Sequence, residues 1–382
     1  MNAIPVRLGL QQRVLPVYRV PFFEALASAC ERGLSVFAGK ARKEEAVEEA
    51  DQLQSARLVR GHNLHLFGGR YYLCWQGGLF DWLADWSPDV LILEANLRYL
   101  RATAATRWMH ARRRPVIGWG LGAPPTRGAF SALVEAYRLR FLRRFDALIT
   151  YSQAGAAEYI AAGYPPERIF VAPNAATPKP IHPPPQRPPR FSQQGAVVLF
   201  IGRLQARKRI DLLLRACASL PSERQPRLWI VGDGPCRPEL EALAQQTYPR
   251  AEFFGARHGR ELDPLLQSAD LFVLPGSGGL AVQQAMSQAL PVMVAEADGT
   301  QADLVRPQNG WLLPPGDLQA LTDRLQEALS DPVRLRRMGS ESYRIAAEEI
   351  NIERMVQVFE LAIRTVIRDY AGLSRGYRSG GW

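Results

Sequence analysis

Two cations, Arg203 and Lys208, stand in the segment IGRLQARKRIDLL (201–213), where an apolar run ends at Gly202 and a helical pattern follows. A loop at the carboxyl end of a parallel strand is where open α/β sheets take ligands. Cations there can neutralise a diphosphate and stabilise the charge that grows on it as it departs, each contact contributing about 1.5–3 kcal/mol. Alone, the pair fits two solvated loop cations equally well. The stretch LFVLPGSGGLAVQQAMSQALPVMVAEADGT (271–300) adds a second signal, with a strand ending at Pro275, glycines at 276, 278 and 279, and a helix opening near Leu280. Glycines let a backbone approach a phosphate closely, and a helix N-terminus aims free amides and partial positive charge at it. One glycine would serve a plain strand-to-helix turn; Gly276, Gly278 and Gly279 together point to an anion cradle. Beyond the next strand, Asp298 and Thr300 stand at the same sheet edge. They fit either polar contacts to a sugar or a turn in which Asp298 bonds the backbone near Gly299.

The elements that must position these residues follow from the hydrophobic pattern. Short apolar runs alternate with longer amphipathic segments: PDVLILE (88–94), RPVIGWG (114–120), FDALITYS (145–152) and RIFVAP (168–173). That rhythm is the mark of βαβ units, and near-continuous apolar runs are the mark of parallel strands buried on both faces. The pattern restarts with VVLFIG (197–202), RLWIVG (227–232), AEFFG (251–255), DLFVLP (270–275) and PVMVAE (291–296), which predicts a second parallel sheet. Between the two lies PNAATPKPIHPPPQRPPRFSQQ (173–194), too rich in proline for a helix or a central strand, hence an extended connector. After residue 316 the spacing turns helical, and the terminal LSRGYRSGGW is polar enough to fray. These features predict an N-terminal domain over 1–175, a linker over 176–195, a C-terminal domain over 196–350, and over 351–382 a C-terminal helix bracing the two domains, followed by a polar tail.

A length of 382 residues exceeds what one core usually organises, and 47% apolar with 22% charged residues allows two substantial cores. The four cysteines, Cys30, Cys74, Cys217 and Cys236, form no C-x-x-C pair, so neither a zinc site nor a disulfide framework is suggested and a reducing cytoplasm is expected. No stretch has the length of a bilayer span, and the first residues lack a signal-peptide pattern. The formal charge of +10 favours anionic partners. Nucleic acid is not expected, because no stacking aromatics line basic strands and no reader motif occurs. The segments RATAATRWMHARRR (101–114) and RGAFSALVEAYRLRFLRRFD (127–146) mix arginines with aromatics, which suits an anionic membrane surface as well as a solvated helix face.

Taken in order, these segments resemble glycosyltransferase family 4, retaining enzymes with two facing Rossmann-like domains and a cleft between them, the GT-B architecture. The resemblance rests on GRLQARK (202–208), IVGDGP (230–235), FFGARHGRELDPLLQSADLFVLP (253–275), GGLAVQQAMSQALPV (278–292) and, in the first half, RRFDALITYSQAGAAEYIAAGYPPERIFVAPNAAT. It implies a hexosyltransferase-type enzyme in which Arg203 and Lys208 grip the donor diphosphate. Gly202, Gly278, Gly279 and Leu280 would frame the phosphates, Gln284 would face the ribose, and Gly232, Gly255 and Arg257 would lie near the base. Asp298 and Thr300 would reach the sugar. The family's usual pair of glutamates spaced eight apart falls on Gly276 and Gln284, so the chain resembles a variant subgroup lacking both carboxylates. Gln284 can still exchange hydrogen bonds with ribose hydroxyls; Gly276 offers no side chain.

The resemblance places the acceptor in the N-terminal half, where Arg19, Asn96 and Trp119 stand in loops that follow strands. Trp119 could offer a sugar a flat apolar face or belong to the core, and Glu94 opens one of these loops. The implied partners are a UDP- or GDP-sugar and a glycan, lipid-linked or small-molecule acceptor, in polysaccharide or glycolipid assembly at the cytoplasmic side, with no cofactor and no metal. The alternative is a non-catalytic GT-B protein that binds a nucleotide or a protein partner.

Overall fold

The computed structural model describes residues 3–45, 47–126, 128 and 130–376. They form two compact units, one of residues 1–176 with 352–382 and one of residues 177–351. Arg127, Ala129 and residues 377–382 of the expected polar tail lie outside the described residues.

Unit 1 is built from β1 (Leu8–Val14), α1 (Val20–Ser28), β2 (Leu34–Gly39), β3 (Arg57–Arg60), β4 (His62–Leu66), β5 (Leu73–Gly77), α2 (Leu79–Trp86), β6 (Val90–Glu94), α3 (Ala102–His110), β7 (Val116–Gly120), α4 (Ser131–Leu142), β8 (Ala147–Thr150), α5 (Gln153–Ala161) and β9 (Ile169–Val171). Seven strands pair in parallel in the order β3-β2-β1-β6-β7-β8-β9, and β4 and β5 form a separate antiparallel hairpin. The apolar runs that predicted strands are β6 to β9. β1 and β2 are buried as well, but β1 carries Gln11 and Gln12 inside an apolar run, which blurs its pattern. The C-terminal helix, Ile352–Gly376, joins this unit: Phe359, Ala362, Ile363 and Val366 are fully buried in the cluster that contains Phe22 and Trp119. Phe359 meets Trp119 edge-on at 5.0 Å and Phe22 at 4.9 Å.

Unit 2 comprises β10 (Val197–Ile201), α6 (Ile210–Ala218), β11 (Arg227–Val231), α7 (Arg237–Thr247), β12 (Ala251–Gly255), α8 (Asp263–Ser268), β13 (Leu271–Leu274), α9 (Leu280–Ser287), β14 (Val292–Ala295), α10 (Gln301–Leu304), β15 (Gly310–Leu313), α11 (Leu318–Ser330) and α12 (Pro332–Glu348). Its parallel sheet has the order β12-β11-β10-β13-β14-β15. The strand order reverses between β10 and β13, and in unit 1 between β1 and β6. Such a switch point opens a crevice at the carboxyl ends of the strands, because the flanking loops run to opposite faces.

The proline-rich connector forms no helix and no named strand, and side-chain hydrogen bonds fix its second half within unit 2. Arg187 donates to four carbonyls, those of Leu266, Ala269, Gln288 and Ala289, at 2.7–3.0 Å. Burial pulls its guanidinium down to about 10. Nearby, Arg336 pairs with Asp270 at 2.6 Å and donates to the Pro188 carbonyl.

Candidate functional site

The loops after β10 and β13 meet at the switch point of unit 2. Gly202 follows β10 at φ +156°, and Gly232, at φ +137°, follows β11 beside it; a Cβ on Gly232 would stand 1.9 Å from the Gly202 carbonyl oxygen. Only glycine fits that approach. Past Gly202 the chain leaves Arg203 exposed, buries Leu204, and makes one tight turn over Ala206–Lys208.

The Lys208 side chain runs beneath the glycine turn. Its Nζ donates to the Ser277 carbonyl at 2.6 Å, and a Cβ on Gly278 would meet that nitrogen at 2.5 Å. Arg207 donates to Ser277 Oγ at 3.0 Å, while the Ser277 amide returns a bond to the Arg207 carbonyl. Burial, with the neighbouring Arg207 charge, pulls the Lys208 ammonium down to about 8. An anion placed here would favour the charged ammonium and offset the Arg207 repulsion.

Gly279 caps α9 with no side-chain hydrogen bond; its carbonyl accepts from the Val282 and Gln283 amides at 3.1 and 3.4 Å, and the amides of Leu280 and Ala281 open the helix at the turn. Gln284 lies one turn into α9 and is half-buried. On the other flank, Asp298 Oδ1 accepts from the amide and hydroxyl of Thr300 and from Gln301 Nε2, at 3.2, 2.6 and 3.0 Å. Asp298 is thus held in a turn that brings the Thr300 hydroxyl to 4.0 Å from a Cβ built on Gly279. Gln301, missed in the sequence, is the clamp of this region. It is 1% exposed, donates to the Gly278 carbonyl at 3.0 Å, and accepts from the amides of Ala297 and Asp298. Arg257, farther along the edge, pairs with Glu261 at 3.8 Å.

Gly276 has no room for a side chain: a Cβ would meet the Arg207 carbonyl oxygen at 2.2 Å and the Lys208 backbone at 2.6 Å. Backbone of the 206–208 turn fills the space beside the position where the resembling family carries a carboxylate.

Unit 1 places its polar groups at the β1/β6 switch point. Glu94, at the end of β6, accepts from the Arg13 amide at 2.6 Å, and its own amide donates to Gln11 Oε1. Gln11 donates to Gln76 at 2.5 Å, which donates to Asn63 Oδ1 at 2.9 Å. Burial pushes the Glu94 carboxyl up to about 7, opposed by the Arg13 amide and the Arg13 and Arg19 charges. The amides in β1 were the readable sign of this network, since Gln11 and Gln12 interrupt an otherwise apolar strand.

The three acceptor candidates fare differently. Asn96 is exposed and accepts from the Arg98 amide at 3.0 Å, as in a local turn. Arg19 is 5% exposed, its guanidinium 4.8 Å from the Trp119 ring and 5.1 Å from that of Tyr151. Trp119 corrects the sequence-based expectation: at 1% exposure it belongs to the core, wedged against Phe22, Phe359 and Tyr151, and no sugar can stack on it. Among the described residues no group of three His, Cys, Asp or Glu side chains could hold a metal ion.

Comparison with known proteins agrees with this arrangement. Residues 195–331 match the model for glycosyl transferases group 1, and residues 33–179 match that for Glycosyltransferase Family 4. A sulfoquinovosyl transferase of Arabidopsis thaliana is 35% identical over 141 residues, 35% of this chain and 27% of the relative. A GDP-mannose-dependent alpha-mannosyltransferase of Mycobacterium tuberculosis is 38% identical over 146 residues, 37% of this chain and 35% of the relative. The chain thus spans about a third or less of the length of these two relatives. Among solved structures, Anabaena HepE in complex with UDP superposes with a TM-score of 0.68 at 19% identity, over 96% of this chain and 100% of that one. The lipopolysaccharide outer core galactosyltransferase WaaB gives 0.66 at 16% identity, over 94% and 99%. The fold is that of the GT-B glycosyltransferases, and glycosyltransferase domains extend over both units.

Proposed function

We propose that the chain transfers a glycosyl group from a nucleoside diphosphate sugar, held at the β10/β13 edge of unit 2, to a hydroxyl acceptor. The observation that carries this reading is the Lys208 ammonium, half-buried beneath a glycine turn that leads into the N-terminus of α9. A diphosphate there would receive the helix amides and the Lys208 and Arg203 charges, which stabilise it more as it gains charge in leaving. UDP and GDP are the favoured nucleotides, since Anabaena HepE was solved with UDP and the mycobacterial relative is named for GDP-mannose.

The transfer proceeds with retention. The acceptor oxygen bonds to the anomeric carbon on the face from which the diphosphate oxygen departs, and the acceptor proton passes to that departing oxygen. No protein nucleophile, metal or cofactor takes part. In unit 1, Glu94 replaces Trp119 as the group we assign to the acceptor hydroxyl, because it is a half-buried carboxyl at the switch point with a near-neutral titration. The acceptor is a glycan or lipid-linked saccharide of polysaccharide or glycolipid assembly, at the cytoplasmic side.

Calorimetric titration with UDP, GDP and ADP tests the reading. One nucleotide should bind at micromolar strength. Arg203→Ala and Lys208→Ala should each weaken it severalfold and cut turnover by about a hundredfold. Binding of none of the three would instead favour a GT-B protein that serves a protein partner, and unchanged turnover in both variants would remove the assigned site.

A further inference from the structure

Lysine is scarce in this chain. Of its 47 basic residues only four are lysines, Lys40, Lys43, Lys179 and Lys208. Lys40 and Lys179 are exposed, whereas Lys208 is half-buried beneath the glycine turn. An ammonium drawn out of water is normally matched by a carboxylate. Lys208 is not: among the described residues no Asp or Glu oxygen stands at ion-pair distance from its Nζ, which donates to the Ser277 carbonyl alone, and the charge beside it is that of Arg207. Arg207 holds the hydroxyl of the same serine at 3.0 Å, so an amine and a guanidinium meet on one residue. A cation that only gripped an anion would be served by arginine, which keeps its charge when buried. Lysine at this position, in a chain that elsewhere uses arginine, points to an amine that gives up its proton.

The surroundings of that amine suit a nucleophile. Desolvation and the Arg207 charge pull it down to about 8, so a sizeable neutral fraction exists at about pH 7.5. The neutral amine can keep one N–H on the Ser277 carbonyl, which leaves its lone pair directed away from that bond. Gly278 has no side chain, and a Cβ there would stand 2.5 Å from Nζ, so glycine leaves that flank of the nitrogen uncovered. Beside it the exposed, planar Arg207 guanidinium can hold a phosphate group. A molecule that joins an electrophilic carbonyl to a phosphate meets both groups at once.

We propose that Lys208 is a modification site for acyl phosphates, whose acyl group passes to its amine while Arg207 holds the phosphate. The amine nitrogen bonds to the acyl carbon. The bond from that carbon to the phosphate oxygen breaks, its electron pair leaving on inorganic phosphate, and the proton shed by nitrogen goes to solvent. A neutral amide then stands where the ammonium stood. Acylation thereby removes one of the two charges assigned to the donor diphosphate and shuts the donor edge; this consequence rests on the reading of that edge as the donor site. A bound nucleotide protects the lysine, because it covers the amine and returns it to its protonated, unreactive form.

Treatment of the full chain with acetyl phosphate at about pH 7.5, followed by peptide mass spectrometry, tests the proposal. Lys208 should be acetylated about tenfold faster than Lys40 and Lys179. Inorganic phosphate should slow Lys208 and leave the other two unchanged. Arg207→Gln should slow it as well, without loss of folding, since the side chain is exposed. Equal rates at the three lysines, or no effect of inorganic phosphate, would overturn the proposal. At short times Lys208 alone has reacted, and that chain should bind UDP or GDP, whichever the untreated chain takes, about tenfold more weakly. Unchanged affinity overturns the shutting of the donor edge. An untreated chain that binds no nucleotide overturns the donor reading and this consequence together, while preferential labelling of Lys208 still upholds the modification site.

Discussion

Lys208 titrates near pH 8 because it is desolvated and faces Arg207, while an unfolded chain would hold its proton to about 10.5. The native state therefore binds fewer protons across that window, and this group's contribution to stability is present above pH 10.5 and lost as pH falls to 8. A bound diphosphate acts in the opposite sense, raising the ammonium toward its ordinary range. Nucleotide binding should accordingly take up a proton at about pH 8.5 and weaken as pH rises past 8. Titrations in two buffers of different ionisation heat check this, and Lys208→Met should abolish the uptake. Arg203, Lys208 and the three glycines were legible because their types and spacing are local. The near-neutral Glu94 was not: its shift comes from burial at the junction of β1, β5 and β6, which are distant in sequence. Nor could sequence decide between a sugar platform and a core position for Trp119, since the residue that closes it off, Phe359, arrives 240 positions later.

At the scale of elements, the glycine turn keeps its shape through its neighbours. The 297–300 turn and the start of α10 reach it through Gln301, whose amide satisfies one carbonyl and two backbone amides at once. Gln301→Leu leaves those groups unmet, at a cost of about 2–3 kcal/mol. Chemical denaturation should register that loss, and nucleotide affinity should fall with it because Gly278 is no longer held. The same region shows which elements a sequence pattern can reveal. β10, β11, β13 and β14 are wholly or almost wholly buried apolar runs, and the switch point follows from their order. The β4–β5 hairpin left no such trace, because its residues, HNLHL and LCWQG, are mixed in polarity and only partly buried. The connector's proline content signalled an extended chain, but not its attachment, which depends on four carbonyls gathered around Arg187 from other segments.

Over the whole molecule, the two units differ in how the chain composes them. Unit 2 is one continuous stretch, 177–351, with its own core, whereas unit 1 needs residues 352–376 to cover Phe22 and Trp119. A fragment of residues 177–351 should therefore unfold cooperatively by itself. A fragment of residues 1–176 should not, having lost a helix whose Phe359 alone is worth about 3–5 kcal/mol by truncation to alanine. Circular dichroism melts of the two fragments, and of an equimolar mixture of 1–176 with a 352–376 peptide, would show it. That order of assembly also has a bearing on synthesis. As the chain leaves the ribosome, the first sheet emerges long before the helix that seals it, so one flank of Phe22 and Trp119 stays open while all of unit 2 is made. The nascent N-terminal half is thus the part of this protein that a chaperone would meet, and a premature stop anywhere before residue 352 would leave it without its seal.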